Sequence, residues 1–467
     1  MEELFLGIDV GTTAVKLGVI EGGRLHHHGQ AALTTYSNHG DDRYQKAGEV
    51  LNTVKELIGT IPKNFRSQIT AIAFSTAMHS LLPQRPGQTL ASGKIFLWSD
   101  RQAGALMETF RKTQQAREFY LATGTPIHAM STFAKICFLE QTGDYPQTTR
   151  WLGLKELLLT EFTGETVIDV STASATGLYS LDTGNWHTGI LDFLGIESAQ
   201  LAQITAGDQP FAIKKELAAA LGLPTAARVY AGASDGCLAA FAGYCHTGIP
   251  NSLTIGTSGA ARVLRRQQKL DPVRQNFCYV LNQDWFVTGA PSNNGGCVLE
   301  WGAKLFHPED PQRFYQELPT ILEQIPIGSG SVRFAPFLNG ERAPYWSTSV
   351  KAGFHGLTID TTQKQLIRSI TEGLLLNVKT LAEMAGVTEQ VTLSGGFFKT
   401  AALTQMTLDV LGCEGIISEE NEPIFGLYAW LAAGDQEPPK LSAASLSWDA
   451  ENHAAYVKLS SGYFDFV

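Results

Sequence analysis

Two Gly-Thr turns, half a chain apart, each joining a pair of apolar β-runs, constrain this chain more than any other feature. In the first, LFLGIDVGTTAVKLGVI over residues 4–20, an apolar run from Leu4 to Ile8 ends at Asp9. Gly11, Thr12 and Thr13 turn the chain, and Val15 to Ile20 returns with Lys16 as its one charged residue. Apolar β-runs joined by a short Gly-containing turn predict a hairpin. The second stretch, SLTIGTSGAARV over 252–263, repeats the pattern around Gly256 and Thr257. Backbone N–H groups and hydroxyls in such a turn suit an anion, phosphate first. Asp9 adds a hard oxygen for a Mg²⁺ on that phosphate, reached through water. An ordinary polar turn explains either hairpin alone. Their repetition favours two related half-chains that clamp one nucleotide between them.

The rest of the composition narrows the setting. At 467 residues the chain has room for two or three domains and needs no staples to bury a core. A net charge of −10 argues against a nucleic-acid or anionic-membrane surface. None of the six cysteines sits in a CxxC pair, so zinc and redox motifs are absent and buried thiols are expected. Glu2, Glu3 and Asp9 interrupt any signal-like segment, and no apolar run reaches the length of a membrane span. The expected location is the cytoplasm.

In chain order, 47–61 has helical spacing and 69–74 reads as a buried strand. The adjacent His26, His27 and His28 would alternate faces of a strand, so a solvated edge fits them better than a metal. The strand 69–74 leads to Met78 and His79, at the end where α/β folds place ligands. His79 suits a substrate hydroxyl, with a satisfied structural histidine as the other reading. A strand from Ile95 to Trp98 delivers Asp100, read as a hydroxyl acceptor, and Arg101, read as a fork onto a carboxylate or a brace that orients Asp100; a surface ion pair is the other reading. Residues 104–121 and 151–163 look helical, and His128 sits in a turn between them. Residues 169–177 read as a small-residue loop. Helix 213–222 and strand 227–231 lead into Gly232-Ala233-Ser234-Asp235-Gly236, which opens a helix of small residues. Glycines around Asp235 admit a close substrate, which suits a general base; an N-cap aspartate is the other reading. A domain boundary is expected at 244–251. The second half adds a Gly-rich turn into a helix at 289–305 and a loop with Glu341 and Arg342. It continues with a long helix at 363–384 and the strand-to-helix diglycine Gly395-Gly396. A helix at 425–434 and a polar tail end the chain.

DVGTT, GASDG, TIGTSGA, the GER loop and SGGFF with QMTLDVLG occur together in this order. The chain thereby resembles the FGGY carbohydrate kinases, of the actin/hexokinase/heat-shock-70 superfamily, over nearly its whole length. STAMHSLLP, LWSDRQA and TGTPIHAMS are most similar to gluconokinases, with xylulokinases close behind. Phe138 replaces the Trp usual in the family's first signature, and Leu408 stands where alanine is commoner in the second. Neither position carries a reacting group.

The resemblance implies an α/β fold of two actin-like, ribonuclease H-like domains around a nucleotide cleft, residues 1–246 and 247–467. It implies ATP and Mg²⁺, with Asp235 as catalytic base and Asp9 facing the metal. Thr12, Thr13 and Lys16 match the first phosphate loop, and Gly256 and Thr257 the second. Gly296 and Glu300 match the nucleotide approach, and Gly396 and Thr400 the adenosine contacts. Met78, His79, Asp100, Arg101 and His128, with Asp235, fall in the sugar pocket. The expected reaction phosphorylates a terminal hydroxyl, first of D-gluconate to 6-phosphogluconate, with a xylulokinase-like ketose kinase as the alternative. A non-catalytic nucleotide- or sugar-binding module of the same fold is more remote, because Asp235 and the pocket motifs are intact. The partner is a small sugar or sugar acid, not nucleic acid or membrane, and a homodimer is left open.

Overall fold

The computed structural model describes residues 4–38, 40–418, 423–432 and 445–467. Its frame is a pair of six-stranded sheets. The first contains β1 (Leu4–Val10), β2 (Ala14–Glu21), β3 (Arg24–Ala32), β4 (Ile69–Thr76), β5 (Pro210–Ala212) and β6 (Arg228–Ser234). They lie in the order β5-β6-β4-β1-β2-β3. β1 and β2 form the expected antiparallel hairpin, with Asp9 opposite Lys16. β4 joins β1 in parallel and β6 joins β4 in parallel. All seven residues of β1 are buried, as a near-continuous apolar run demands of a strand covered on both faces. The edge strand β3 carries His26 to His28, with His26 and His28 exposed, as expected of a solvated edge.

The second sheet contains β7 (Asn251–Ile255), β8 (Gly259–Arg265), β9 (Phe277–Val280), β10 (Phe286–Ser292), β11 (Gln390–Ser394) and β12 (Glu414–Ile417). Its order is β9-β10-β8-β7-β11-β12. The hairpin β7–β8 takes the place that β1–β2 takes in the first sheet. An antiparallel strand follows on one side (β10 as β3), and two parallel strands follow on the other (β11 and β12 as β4 and β6). Each sheet then gains one extra antiparallel edge strand, β5 or β9.

Several local readings need correction. The stretch 104–121 is broken into helices Gly104–Phe110 and Gln114–Thr123, because Thr113 accepts the Ala116 N–H at 3.1 Å and caps a new helix. Residues 151 and 152 belong to a short strand, Arg150–Leu152, and helix α1 (Leu154–Thr163) starts after Gly153. The strand expected at 95–98 is Lys94–Phe96 and stops before Trp98. The small-residue loop contains a buried helix, α2 (Val170–Ser174), capped by Asp169, whose Oδ1 accepts from Thr172 N at 2.8 Å. The expected polar tail holds the helix Ala450–Ser460, capped by Asp449. Residues 433–434 of the expected helix 425–434, and Glu2 and Glu3, lie outside the described residues.

Further helices place the cleft between the sheets. α3 (Asp235–Thr247) leaves the end of β6 and leads into β7. α4 (Gly296–Phe306) follows β10. α5 (Gln363–Ala385) begins at a capping box of Thr362 and Gln365 and crosses the core of the second half. α6 (Pro423–Leu431) returns to the first half, where Leu427 packs with Phe5, Ala71 and Leu238. Gly426 allows that approach, since a Cβ there would lie 2.5 Å from Leu238 O. No helix among the described residues is long and apolar enough to cross a membrane.

One buried charge fixes the ends of the central strands. Lys155 of α1 is fully buried, 3.1 Å from Asp169 Oδ2. Its ammonium donates to Phe74 O at 2.8 Å, to Ala233 O at 3.2 Å and to Ala231 O. Removing one partner of such a pair leaves an uncompensated charge, at about 3–5 kcal/mol. Lys155→Met should therefore lose about that much stability in urea unfolding. A loss under about 1 kcal/mol would mean that Asp169 and the strand ends hold without it.

Candidate active site

Residues from both sheets line a cleft of about 410 Å³. Asp9 comes from the end of β1 and Lys16 from β2. Met78 and His79 follow β4, and Asp235 opens α3. Across from them stand Ser258 and Arg262 of the second hairpin, Ser394 at the end of β11, and Arg342. The Asp9 carboxylate is buried and accepts from Ser75 Oγ at 2.7 Å. A single hard carboxylate of this kind fits Mg²⁺, which keeps several waters and takes one or two protein carboxylates.

The first turn is tied down rather than open. Gly11 N donates to Ala14 O at 3.0 Å, and Thr13 O accepts from Leu33 N at 2.8 Å. Thr12 O accepts from Gln45 Nε2 at 2.7 Å, and its Oγ1 accepts from Trp98 Nε1 at 2.9 Å. Trp98 in turn lines the cleft; Thr12 is half-buried and Thr13 exposed, both outside that lining.

The second turn is braced by α4. Gly256 O accepts from Gly296 N at 2.6 Å, and Thr257 O accepts from Gly295 N at 3.1 Å. A Cβ on Gly295 would lie 2.5 Å from Ser258 O, so only glycine permits this contact. The diglycine after β11 works differently. Gly395 has φ +103°, and a Cβ on it would meet Ile255 O at 2.3 Å, while the Gly396 position faces open space. Thr400 is the residue before the helix Ala401–Leu411 and makes no side-chain cap. Glu300 points to the surface, paired with Lys304 at 2.6 Å.

His79 holds a left-handed backbone, φ 63°. Its Nδ1 lies 2.7 Å from Ala175 O, an acceptor only, so Nδ1 carries the proton and Nε2, 3.4 Å from the Tyr279 hydroxyl, is the acceptor. His128 has the other tautomer: Nδ1 accepts from Met130 N at 3.2 Å, so Nε2 carries the proton. That Nε2–H is buried without a protein partner. Its ring lies 5.8 Å from that of Trp346. Burial lowers both imidazoles to about 3, with nearby cations adding to the effect.

Asp100 and Arg101 part company. Asp100 is buried, accepts from Arg43 N and Gln102 Nε2 at 3.0 Å each, and burial raises its carboxyl above the usual range. Arg101 is exposed and lies 3.7 Å from Asp41, so it neither forks onto a cleft ligand nor orients Asp100.

Asp235 is the first residue of α3, and Ser234 holds the N-cap position. The aspartate is therefore not the helix cap. Its Oδ1 accepts from Gly236 N at 2.7 Å. Burial raises its carboxyl, opposed by the Gly236 N–H and by Arg262 and Lys155.

Residues 4–242 match the model of the FGGY family of carbohydrate kinases, N-terminal domain, and residues 251–433 match that of the C-terminal domain. The chain belongs to the FGGY family of carbohydrate kinases. It is 30% identical over 452 residues to a gluconokinase of Bacillus subtilis (strain 168), covering 92% of this chain and 88% of that one. It superposes on a gluconate kinase from Lactobacillus acidophilus with a TM-score of 0.91 at 26% identity, covering 100% of this chain and 98% of the other. A ligand-bound xylulose kinase from the same organism gives 0.91 at 27% identity, with 99% and 97% covered. The chain is thus an ATP-dependent FGGY sugar kinase with the two-domain, actin-like fold of that family.

Two cleft cations of this FGGY kinase were not among the site residues expected from its sequence. Arg342 donates from Nη2 to Ser292 O at 2.8 Å and lies 5.0 Å from the Trp98 ring centroid, its Nε buried without a partner. Burial lowers its guanidinium to about 10. Glu341 beside it is fully buried and accepts from Ser292 Oγ at 2.6 Å, Arg342 N at 2.7 Å and Asn377 Nδ2 at 3.0 Å, which fixes the loop. Arg262 is the other cation. The signal for it was a lone charge in the otherwise apolar GAARVL.

The two histidines make the stability of the kinase pH-dependent. Unfolding releases each to its ordinary value near 6.5, so the unfolded chain binds protons first as pH falls. Their contribution is full above that value and is lost as pH falls from it toward 3. The urea midpoint should decline from about pH 7 to about pH 5, and His128→Asn should make the decline shallower. Identical slopes would mean that His128 is charged in the folded kinase.

Proposed function

We propose that this kinase transfers the γ-phosphoryl of ATP to the terminal hydroxyl of D-gluconate, giving 6-phosphogluconate and ADP. The observation that carries the reading is one cleft lined by Asp235, Lys16 and a buried guanidinium, Arg342. Asp235 accepts the hydroxyl proton as the sugar oxygen attacks the γ-phosphorus and ADP departs; late proton acceptance is all that phosphoryl transfer asks of a base. Lys16 and the two turns, Thr12-Thr13 and Gly256-Thr257, hold the phosphates in line. Asp9 would hold Mg²⁺ through water, which supplies neutralising charge at the phosphates. Gly296, Gly396 and Thr400 border the nucleotide, and Glu300 lies at the far end of that path. On the sugar side, Met78, His79, Asp100 and His128 position hydroxyls, with His79 accepting at Nε2 and His128 donating at Nε2. Arg342, rather than the outward Arg101, takes the carboxylate. We place the domain boundary between 246 and 247, at the end of α3, and the protein in the cytoplasm.

A xylulokinase-like reading has one observation in its favour, the equal TM-score of the xylulose kinase from Lactobacillus acidophilus. An ADP-release assay with D-gluconate, D-xylulose, L-ribulose, glycerol and no sugar separates the two. Turnover with gluconate alone supports the first reading, and turnover with a ketose replaces it. Asp235→Ala should lower kcat by about 10²–10⁴ while ATP binding persists; near-normal turnover would remove the base. Arg342→Met should raise the gluconate KM by about 10- to 100-fold, the scale of one charged hydrogen bond, with little change for ATP. An unchanged gluconate KM would take Arg342 out of carboxylate binding.

A further inference from the structure

Arg262 stands in β8, the return strand of the second phosphate hairpin, between Ala261 and Val263, which are both buried. A guanidinium in such a strand is unfavourable unless it meets an opposite charge or a full set of acceptors. It has neither within its own half. Nη1 donates to Thr254 Oγ1 at 3.3 Å, and Nε is buried without a hydrogen-bond partner. Instead the guanidinium reaches across the cleft to the start of α3. A Cβ on Gly236 would lie 3.6 Å from Arg262 Nε and 3.8 Å from Nη2. Gly236 is the residue whose N–H holds the Asp235 carboxylate.

We propose that Arg262 is a positioning residue for Asp235, carried on the opposite half of the molecule, which keeps the carboxylate charged and turned toward the acceptor hydroxyl. The inference rests on the reading of Asp235 as proton acceptor. Burial in the cleft works against the charged carboxylate, and Arg262 is the largest opposing side-chain charge, ahead of Lys155. The groups that face Asp235 are Arg262 from β8, Lys155 from α1 and Cys237 from α3 itself. Asp9, Lys16, His79 and Arg342 line the same cleft. Lys155 is committed to Asp169 and three carbonyls, whereas Arg262 retains an unused N–H beside the base. Because Arg262 lies in a strand of the second sheet and Asp235 opens the helix that follows a strand of the first, the base gains its cation only when the two halves are apposed.

The test is the pH profile of kcat/KM, measured with Mg-ATP and D-gluconate, or with D-xylulose if that is the acceptor. Removing the cation favours the protonated carboxyl, so the acidic limb of Arg262→Gln should move to higher pH, by about one unit. Its kcat near neutrality should fall about tenfold or more, and its KM for ATP should stay within about threefold. Arg262→Lys should return the limb most of the way to the wild-type position. A limb that stays in place in Arg262→Gln, whatever the rate, overturns the proposal, because a purely structural arginine would lower activity without moving it. So does an Arg262→Lys limb as displaced as that of Arg262→Gln. If the glutamine variant does not fold, Arg262→Met, whose unbranched side chain suits the strand, carries the same comparison. Asp235→Asn, run in parallel, separates the two ideas. Retained turnover in it removes the base and this inference together. A dead Asp235→Asn with an unmoved Arg262→Gln limb removes the inference alone.

Discussion

The buried ammonium of Lys155 is the constraint on which the site depends. It gathers carbonyls from the ends of two parallel strands, Phe74 of β4 and Ala231 and Ala233 of β6, and the carboxylate that caps α2. β6 can present both of its carbonyls because its register slips between Tyr230 and Ala233. Gly232 absorbs the slip at φ 68°, where a Cβ would strike Phe74 O at 2.2 Å. A bulge of this kind re-aims a strand, and here it precedes the last two paired residues, Ala233 and Ser234, after which Asp235 opens α3 in the cleft. The GASDG stretch is thus a backbone device as well as a setting for one carboxylate, and the ammonium that binds the carbonyls of Ala231 and Ala233 comes from helix α1.

The cleft keeps its charges in a definite arrangement. Asp9 and Lys16 face each other across the first hairpin, and Asp235 faces Arg262 across the two halves. Arg342 stands toward the histidines, coupled to both His79 and His128. Those histidines remain neutral near physiological pH, so they act as one acceptor and one donor rather than as further cations. Burial does this without any acidic partner, since the groups nearest in charge are Lys135 for His79 and Arg342 for His128.

Much of this was legible in the residues, for physical reasons that also mark where legibility ended. The hairpins could be read because a covered strand must be apolar and a tight turn must be small, and both rules act within a few residues. The equivalence of the two sheets followed from the spacing of the Gly-Thr turns, yet the extra edge strands β5 and β9 had no such signal. α2 has no helical signature because VSTAS has weak helix propensity; the Asp169 cap and the burial of Ser171 to Ser174 hold it. Helix 104–121 was read through its break because Thr113 caps only when the chain turns there. Among the arginines, Arg101 draws attention through its neighbour Asp100, but the turns around them bury the carboxylate and leave the guanidinium exposed. Arg262 and Arg342 converge only through tertiary packing, which no local pattern records. Of the residues that the family pattern marks, Asp9, Lys16, Met78, His79 and Asp235 share the cleft wall.

The path of the chain between the halves has a consequence for dissection. It leaves the first half through α3 into β7, and later α6 returns to lie on α3 and the first sheet before the helix Ala450–Ser460 packs back on the second half. The chain therefore crosses more than once, and no single cut separates the two halves with their cores intact. A break after Thr247 would leave Leu427, buried with Phe5, Ala71 and Leu238, on the wrong piece.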